Sequence, residues 1–200
     1  MENNKKKSLI PKAALIKAWL IWETFPQTCY NYERMMGQVV AHMFSAIIGF
    51  LYKDDPSKRK EVMKREIEFF NVHIEFGSCI LGMAVALEEQ KAMGENIPGE
   101  FITNLKTSLM GPLAGMGDTI WQGVVIPILL AVCIDLTRSG SGNVWGAVIY
   151  AVVIVVAAYA LSYWNFMFGY KAGSEAIMDF LEKGILNKLI KGASIMGCMV

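Results

Sequence analysis

Between Ser139 and Tyr170 the chain carries no Asp, Glu, Lys, Arg or His. As an α-helix, the part from Asn143 to Trp164 reaches about 33 Å, against roughly 30 Å of bilayer hydrocarbon. Trp145 and Tyr150 near one end, with Tyr163 and Trp164 at the other, suit the aromatic belts of a spanning helix. Composition agrees: 54% of the 200 residues are apolar and 18% charged, with mean hydropathy +0.37, whereas soluble domains carry about 25% charge. A membrane-embedded helical protein is therefore expected.

Other classes fall away. The apolar content excludes disorder. With 19 Lys+Arg against 18 Asp+Glu, the net charge of +1 supplies no basic surface for nucleic acid. Cys29, Cys79, Cys133 and Cys198 lie far apart, with no Cys-x-x-Cys pair, and His42 and His73 are the two histidines. Neither a disulfide framework nor a metal site is suggested, and no cofactor is implied. There is no Gly-x-Ser-x-Gly and no grouping of Ser or Cys with His and a carboxylate, so no catalytic residue is expected.

The remaining apolar runs are shorter or broken. Met35–Tyr52 gives about 27 Å but contains His42, Phe76–Leu87 only about 18 Å, and Thr119–Ile134 roughly 24 Å with Pro127 inside it. Short or irregular backbone survives at membrane depth only where protein or a water-filled cavity covers it, so re-entrant or interrupted helices are expected. Lysines and arginines flank Met35–Tyr52 on both sides, which predicts that this run dips in and returns or lies in the interface. Lys171, Lys183, Lys188 and Lys191 place the far end of the long span in the cytoplasm.

Residues 1–34 read as an interfacial amphipathic segment. Lys5, Lys6 and Lys7 resemble the start of a signal peptide, but Pro11, Lys12 and Lys17 interrupt the apolar stretch it needs. Leu9, Ala13, Ile16 and Leu20 instead recur at helical spacing; an ordinary amphipathic surface helix is the alternative. Further on, Asp55 and Pro56 predict a helix start, with Met63, Ile67, Phe70 and Ile74 as its apolar stripe. Glu88–Lys106 reads as a solvent-exposed connection, and Ser139–Gly142 as a turn. Ala193–Val200 opens an apolar run that stops after eight residues, so a single domain over 1–200, truncated relative to something longer, is expected.

The segment Met110 to Asp118 carries Gly111, Pro112, Gly115 and Gly117 but matches neither a dinucleotide fingerprint nor a Walker loop. Pro112 should break a helix and free backbone groups at membrane depth. Asp118, followed by Gln122, then either caps a helix beginning at Thr119 or faces a substrate path. Asn31, Glu33 and Arg34 border an apolar run, as do Asn71 and His73. Such mixtures suit hydroxyl-rich ligands or subunit contacts. Glu33–Arg34 can equally be an interfacial anchor, and His73 a hydrogen-bonded structural residue instead of a proton carrier or phosphoacceptor.

Asn31-Tyr32-Glu33-Arg34-Met35, Glu68-Phe69-Phe70-Asn71, Ala86-Leu87-Glu88-Glu89-Gln90, Met110 to Asp118, and Gly192-Ala193-Ser194-Ile195 occur in this order. Together they resemble the enzyme IID membrane subunit of the mannose/fructose/sorbose family of the bacterial sugar phosphotransferase system, over residues 15 to 200. The resemblance implies a bacterial inner-membrane protein that pairs with a IIC subunit as a sugar translocator. Separate IIA and IIB subunits would relay phosphate through their own histidines, and the membrane part would be a trimer of IIC–IID pairs. It makes Asn31, Glu33, Arg34, Asn71, His73, Asp118 and Gln122 candidates for the sugar path or the IIC contact. A membrane scaffold or receptor without transport is the competing reading. The family's Asn-Thr-His-Pro is Asn71-Val72-His73-Ile74 here, and the arginine of its Arg-Pro is Ile126 before Pro127. Mannose is therefore not implied. Family members also continue beyond the equivalent of Val200.

Overall fold

A computed structural model describes residues 8–139 and 144–183. The described residues form helices α1 (Lys12–Thr24), α2 (Gly37–Ser45), α3 (Ile48–Leu51), α4 (Pro56–Glu66), α5 (Ile74–Ala92) and α6 (Gly99–Gly117). A π-helical segment (Asp118–Val125) leads into α7 (Ile126–Ser139), and α8 runs from Trp145 to Lys183. The expected turn over Ser139–Gly142 and the terminal run from Ala193 fall largely outside the described residues.

The uncharged run becomes part of α8, as its composition requires. Two helical stretches, Gly99–Arg138 and Trp145–Gly173, are long and apolar enough to cross a membrane. The second spans about 43 Å. Ile128, Val132 and Leu136 of α7 and Val148, Val152 and Val156 of α8 all stand exposed, a surface that water does not tolerate as a patch.

The rest packs around α5. Ile80, Leu81, Ala84 and Val85 are fully buried there. The short Phe76–Leu87 run is thus the core of a helix lengthened at both ends by polar residues. Helix α8 approaches α5 backbone to backbone: a Cβ on Gly82 would meet the Phe166 carbonyl, and one on Gly169 the Cys79 carbonyl. Small residues allow such contact between helices in lipid.

Several expectations need correction. In α1 the buried face is Ala14, Leu15, Ala18, Trp19 and Trp22, whereas Leu9 and Leu20 are exposed. The two indoles turn inward because Trp19 Nε1 donates to Ser162 Oγ and Trp22 Nε1 to Ser78 Oγ, each at 3.0 Å. The Met35–Tyr52 run, by contrast, is the interrupted helix that was expected, broken between Ser45 and Ile48, with Val40, Met43, Phe44 and Ile47 fully buried in protein.

The capped start of α4 is present, with Asp55 Oδ1 accepting from the Lys58 amide at 3.0 Å. Its predicted stripe is not, because the helix ends at Glu66. The chain then extends to pair with the segment before α2: the Met36 amide donates to the Phe70 carbonyl at 2.8 Å and the Phe70 amide to the Arg34 carbonyl at 3.2 Å.

Pro112 does not break α6, which continues to Gly117. One lost amide bond in a helix of this length is absorbed, and at membrane depth the other backbone groups have no water to turn to. The irregularity comes later, in the π-helical segment, where the Ile126 amide donates to the carbonyl of Trp121, five residues back. Pro127 follows at once; its ring would press on the Gly123 carbonyl in a regular α-helix, and wider winding relieves that pressure. The N-cap role for Asp118 is overturned for the same reason: its φ of −61° and ψ of −41° are helical and its amide is bonded to the preceding turn.

Glu88–Lys106 is mostly helix, not connection. Helix α5 continues to Ala92 and α6 starts at Gly99, so Gly94, Pro98 and Gly99, which suggested a connection, mark only the short link between the two helices.

Candidate functional site

The start of α5, the extended strand before it and the junction of α6 with the π-helical segment enclose a cleft of about 810 Å³. Asn71, His73 and Glu75 line one wall, with Asp118, Trp121 and Gln122 on the other. Four predicted residues, Asn71, His73, Asp118 and Gln122, are thus brought together from distant parts of the sequence.

Each wall is fixed locally. Pairing of Phe70 with Arg34 and Met36 holds the strand, the Asn71 amide points at Met110 Sδ at 3.2 Å, and Tyr30 donates its hydroxyl to Asn71 Oδ1 at 3.2 Å. His73 and Glu75 are both buried, with Nδ1 and Oε2 3.0 Å apart. Across the cleft, Gln122 Nε2 donates to Asp118 Oδ1 at 3.4 Å. The exposed groups left over are an amide, a carboxylate and a second amide. Beside the Trp121 ring they suit a ligand of several hydroxyls with an apolar face.

The other predicted group does not join this cleft. Glu33 and Arg34 line a separate depression of about 400 Å³ with Lys64 and Glu68. Their ion pair, 3.1 Å long, lies at the surface. Asn31 spends its side chain on the backbone: Oδ1 accepts from the amides of Glu33 and Arg34 at 3.1 and 3.0 Å. This tight turn delivers Met35 with a φ of 49°. Of the glycine-rich segment, Gly117 touches the cleft wall through His73, while Gly111 and Gly115 face open space.

Sequence reasoning missed the buried charges that join α4, α5 and α6. Lys106 of α6 donates to Glu66 Oε2 at 2.8 Å, and Arg65 donates to Glu88 Oε1 through Nε and Nη2 at 2.9 and 2.6 Å. Burial first, and then Glu66, push the Glu88 carboxyl up to about 7, against the pull of Arg65. Burial is the largest influence and opposes the Arg65 charge, but Glu88, Glu66 and Glu61 together more than offset it and hold the guanidinium above its ordinary value. Glu89 receives the amides of Leu9 and Ile10 and the Ser8 hydroxyl, clamping the N-terminal segment to α5. The one sequence signal was Lys106, a lone cation midway along an apolar stretch.

The chain matches the family model of the PTS system mannose/fructose/sorbose family IID component over residues 9–200. It is 37% identical over 176 residues to the mannose-specific EIID component of Escherichia coli K12, covering 87% of this chain and 60% of that protein. It is 32% identical to the fructose permease IID component of Bacillus subtilis 168, covering 98% of this chain and 69% of that one. Among solved structures, a cryo-EM complex of the mannose transporter ManYZ with microcin E492 superposes with a TM-score of 0.86 at 32% identity, covering 96% of this chain and 69% of that one. The chain therefore spans about three fifths of the mannose-specific relative's length. On the family match and these identities, it belongs to the IID components of the mannose/fructose/sorbose family of the sugar phosphotransferase system.

Proposed function

We propose that the chain is the IID part of a bacterial inner-membrane sugar permease, paired with a IIC subunit. A hexose or related sugar enters through the pair and is phosphorylated on the cytoplasmic side by IIA and IIB. The chain itself is non-catalytic. The single observation that carries this reading is the cleft between Asn71–Glu75 and Asp118–Gln122, a polar wall beside helices bare enough to need lipid or another subunit.

In this reading the exposed faces of α7 and α8 meet the IIC subunit and lipid, within a trimer of IIC–IID pairs. Leu9 and the outer face of α1, with Lys12, Lys17 and Leu20, lie in the membrane interface. Glu33 and Arg34 serve subunit contact, and Asn71, His73, Asp118 and Gln122 border the sugar path.

Labelled-sugar uptake and co-purification with IIC, measured on Asp118→Asn, test it. Uptake is expected to fall at least tenfold while co-purification is retained. Equal loss of both would make Asp118 structural. Unchanged uptake of every sugar on deletion of the gene would favour a scaffold or receptor.

A further inference from the structure

The charge of the cleft limits what it can hold. Glu75 stands on one wall and Asp118 on the other, and among the described residues no lysine or arginine lines the space between them. The chain does not lack cations, with 19 Lys+Arg against 18 Asp+Glu. They line other depressions beside carboxylates: Arg34 and Lys64 in one, Lys58, Arg65 and Lys91 in another. The cleft holds carboxylates without them.

Nearby groups do not cancel this charge. The amino end of α5 opens here and carries about half a positive charge, which Glu75 in the same first turn outweighs. His73 Nδ1 lies 3.0 Å from Glu75 Oε2. A proton on that ring would balance Glu75, and Asp118 would still outweigh the helix end. Gln122 gives Asp118 a hydrogen bond but no charge. Glu75 is buried, where water screens a charge less than at the surface.

We propose that the cleft selects by charge: it admits a neutral sugar and repels the same sugar once it carries a phosphate, with Asp118 and Glu75 as the repelling groups. This rests on the reading above, in which a sugar passes the cleft and is phosphorylated on the cytoplasmic side. A neutral sugar brings hydroxyl protons that carboxylate oxygens accept. A phosphate monoester instead brings about −1.5 to −2 charges at neutral pH and acceptor oxygens, and carboxylates have no proton to offer them. The groups that hold the substrate thus expel the product and keep it from re-entering the path. Sugar acids, anionic from the start, are excluded for the same reason.

Calorimetric binding to the IIC–IID pair reconstituted in lipid tests this. Mannose, glucose, galactose, fructose and sorbose are screened, and the tightest is compared with its 6-phosphate and with its uronate, which matches the sugar in size but is charged. Both anions should bind at least about tenfold more weakly than the sugar at low salt, and the gap should narrow in about 0.5 M salt. Asp118→Asn keeps the acceptor for Gln122 and should narrow the gap at low salt, as should Glu75→Gln. Equal binding of sugar and phosphate would overturn the proposal. So would a uronate that binds as well as the sugar, a gap indifferent to salt, or one unchanged in both variants. If no sugar binds at all, the reading of the cleft as a sugar path fails, and this inference fails with it.

Discussion

Gly117 and His73 are in such close contact that a methyl group on the glycine would overlap the imidazole and its Cβ. The last residue of α6 thereby sets the distance between the two walls of the cleft.

Gly117→Ala is expected to force the walls apart. Overpacking of this kind costs about 1 to 3 kcal/mol, read as a lower midpoint in thermal unfolding of the lipid-reconstituted chain. His73→Gly removes both the ring and the Cβ that the methyl meets. The double variant should therefore melt closer to His73→Gly alone than the sum of the two single losses allows.

The Glu66–Lys106 pair makes a second expectation, because both side chains are almost wholly buried. Lys106→Ala leaves the buried Glu66 carboxylate with Arg65 Nε, 3.9 Å away and already committed to Glu88, and should cost about 3 kcal/mol, whereas replacing both residues by leucine should cost much less. Chemical unfolding of the three proteins compares them directly. A double variant as unstable as Lys106→Ala would mean that the pair has a role beyond charge balance.

Stability should also fall as pH rises. Glu23 and Glu88 are both raised to about 7 from 4.5, so between those values the folded protein holds protons that the unfolded chain has released. Their contribution is fully present below 4.5 and is lost as pH rises through about 7. Thermal midpoints measured across this range should decline toward alkaline pH, and less steeply in Glu23→Gln.

What was legible in the sequence was what depends on neighbours along the chain. The long α8 follows from a run free of charge, and the start of α4 from Asp55 and Pro56. The inward face of α1 was hidden because Ser78 and Ser162, which turn Trp22 and Trp19, lie on other helices. Pro112 misled because a breaker acts through one hydrogen bond, while the helix around it is held by many. The burial of Glu88 was hidden because Arg65, its partner, is 23 residues away. For the site, polarity at the edges of apolar runs picked out Asn71, His73, Asp118 and Gln122, but spacing could not say that they share a cleft. It equally could not separate Asn31, Glu33 and Arg34 from them.

The glycines offer the sharpest contrast between position and composition. At Gly169 an added Cβ would meet the backbone carbonyl of Cys79, which cannot rotate away, whereas at Gly111 nothing lies within 4 Å. Gly169→Ala should therefore push α8 off α5 and cost about 1 to 3 kcal/mol. Gly111→Ala, in an open helical position, should instead gain about 0.5 to 1 kcal/mol from reduced backbone entropy in the unfolded chain. Paired thermal melts of the two variants in the same lipid decide the matter. Equal shifts of one sign would mean that α5 and α8 are not held in backbone contact, and the cleft wall that α5 carries would then lack the rigid support described here.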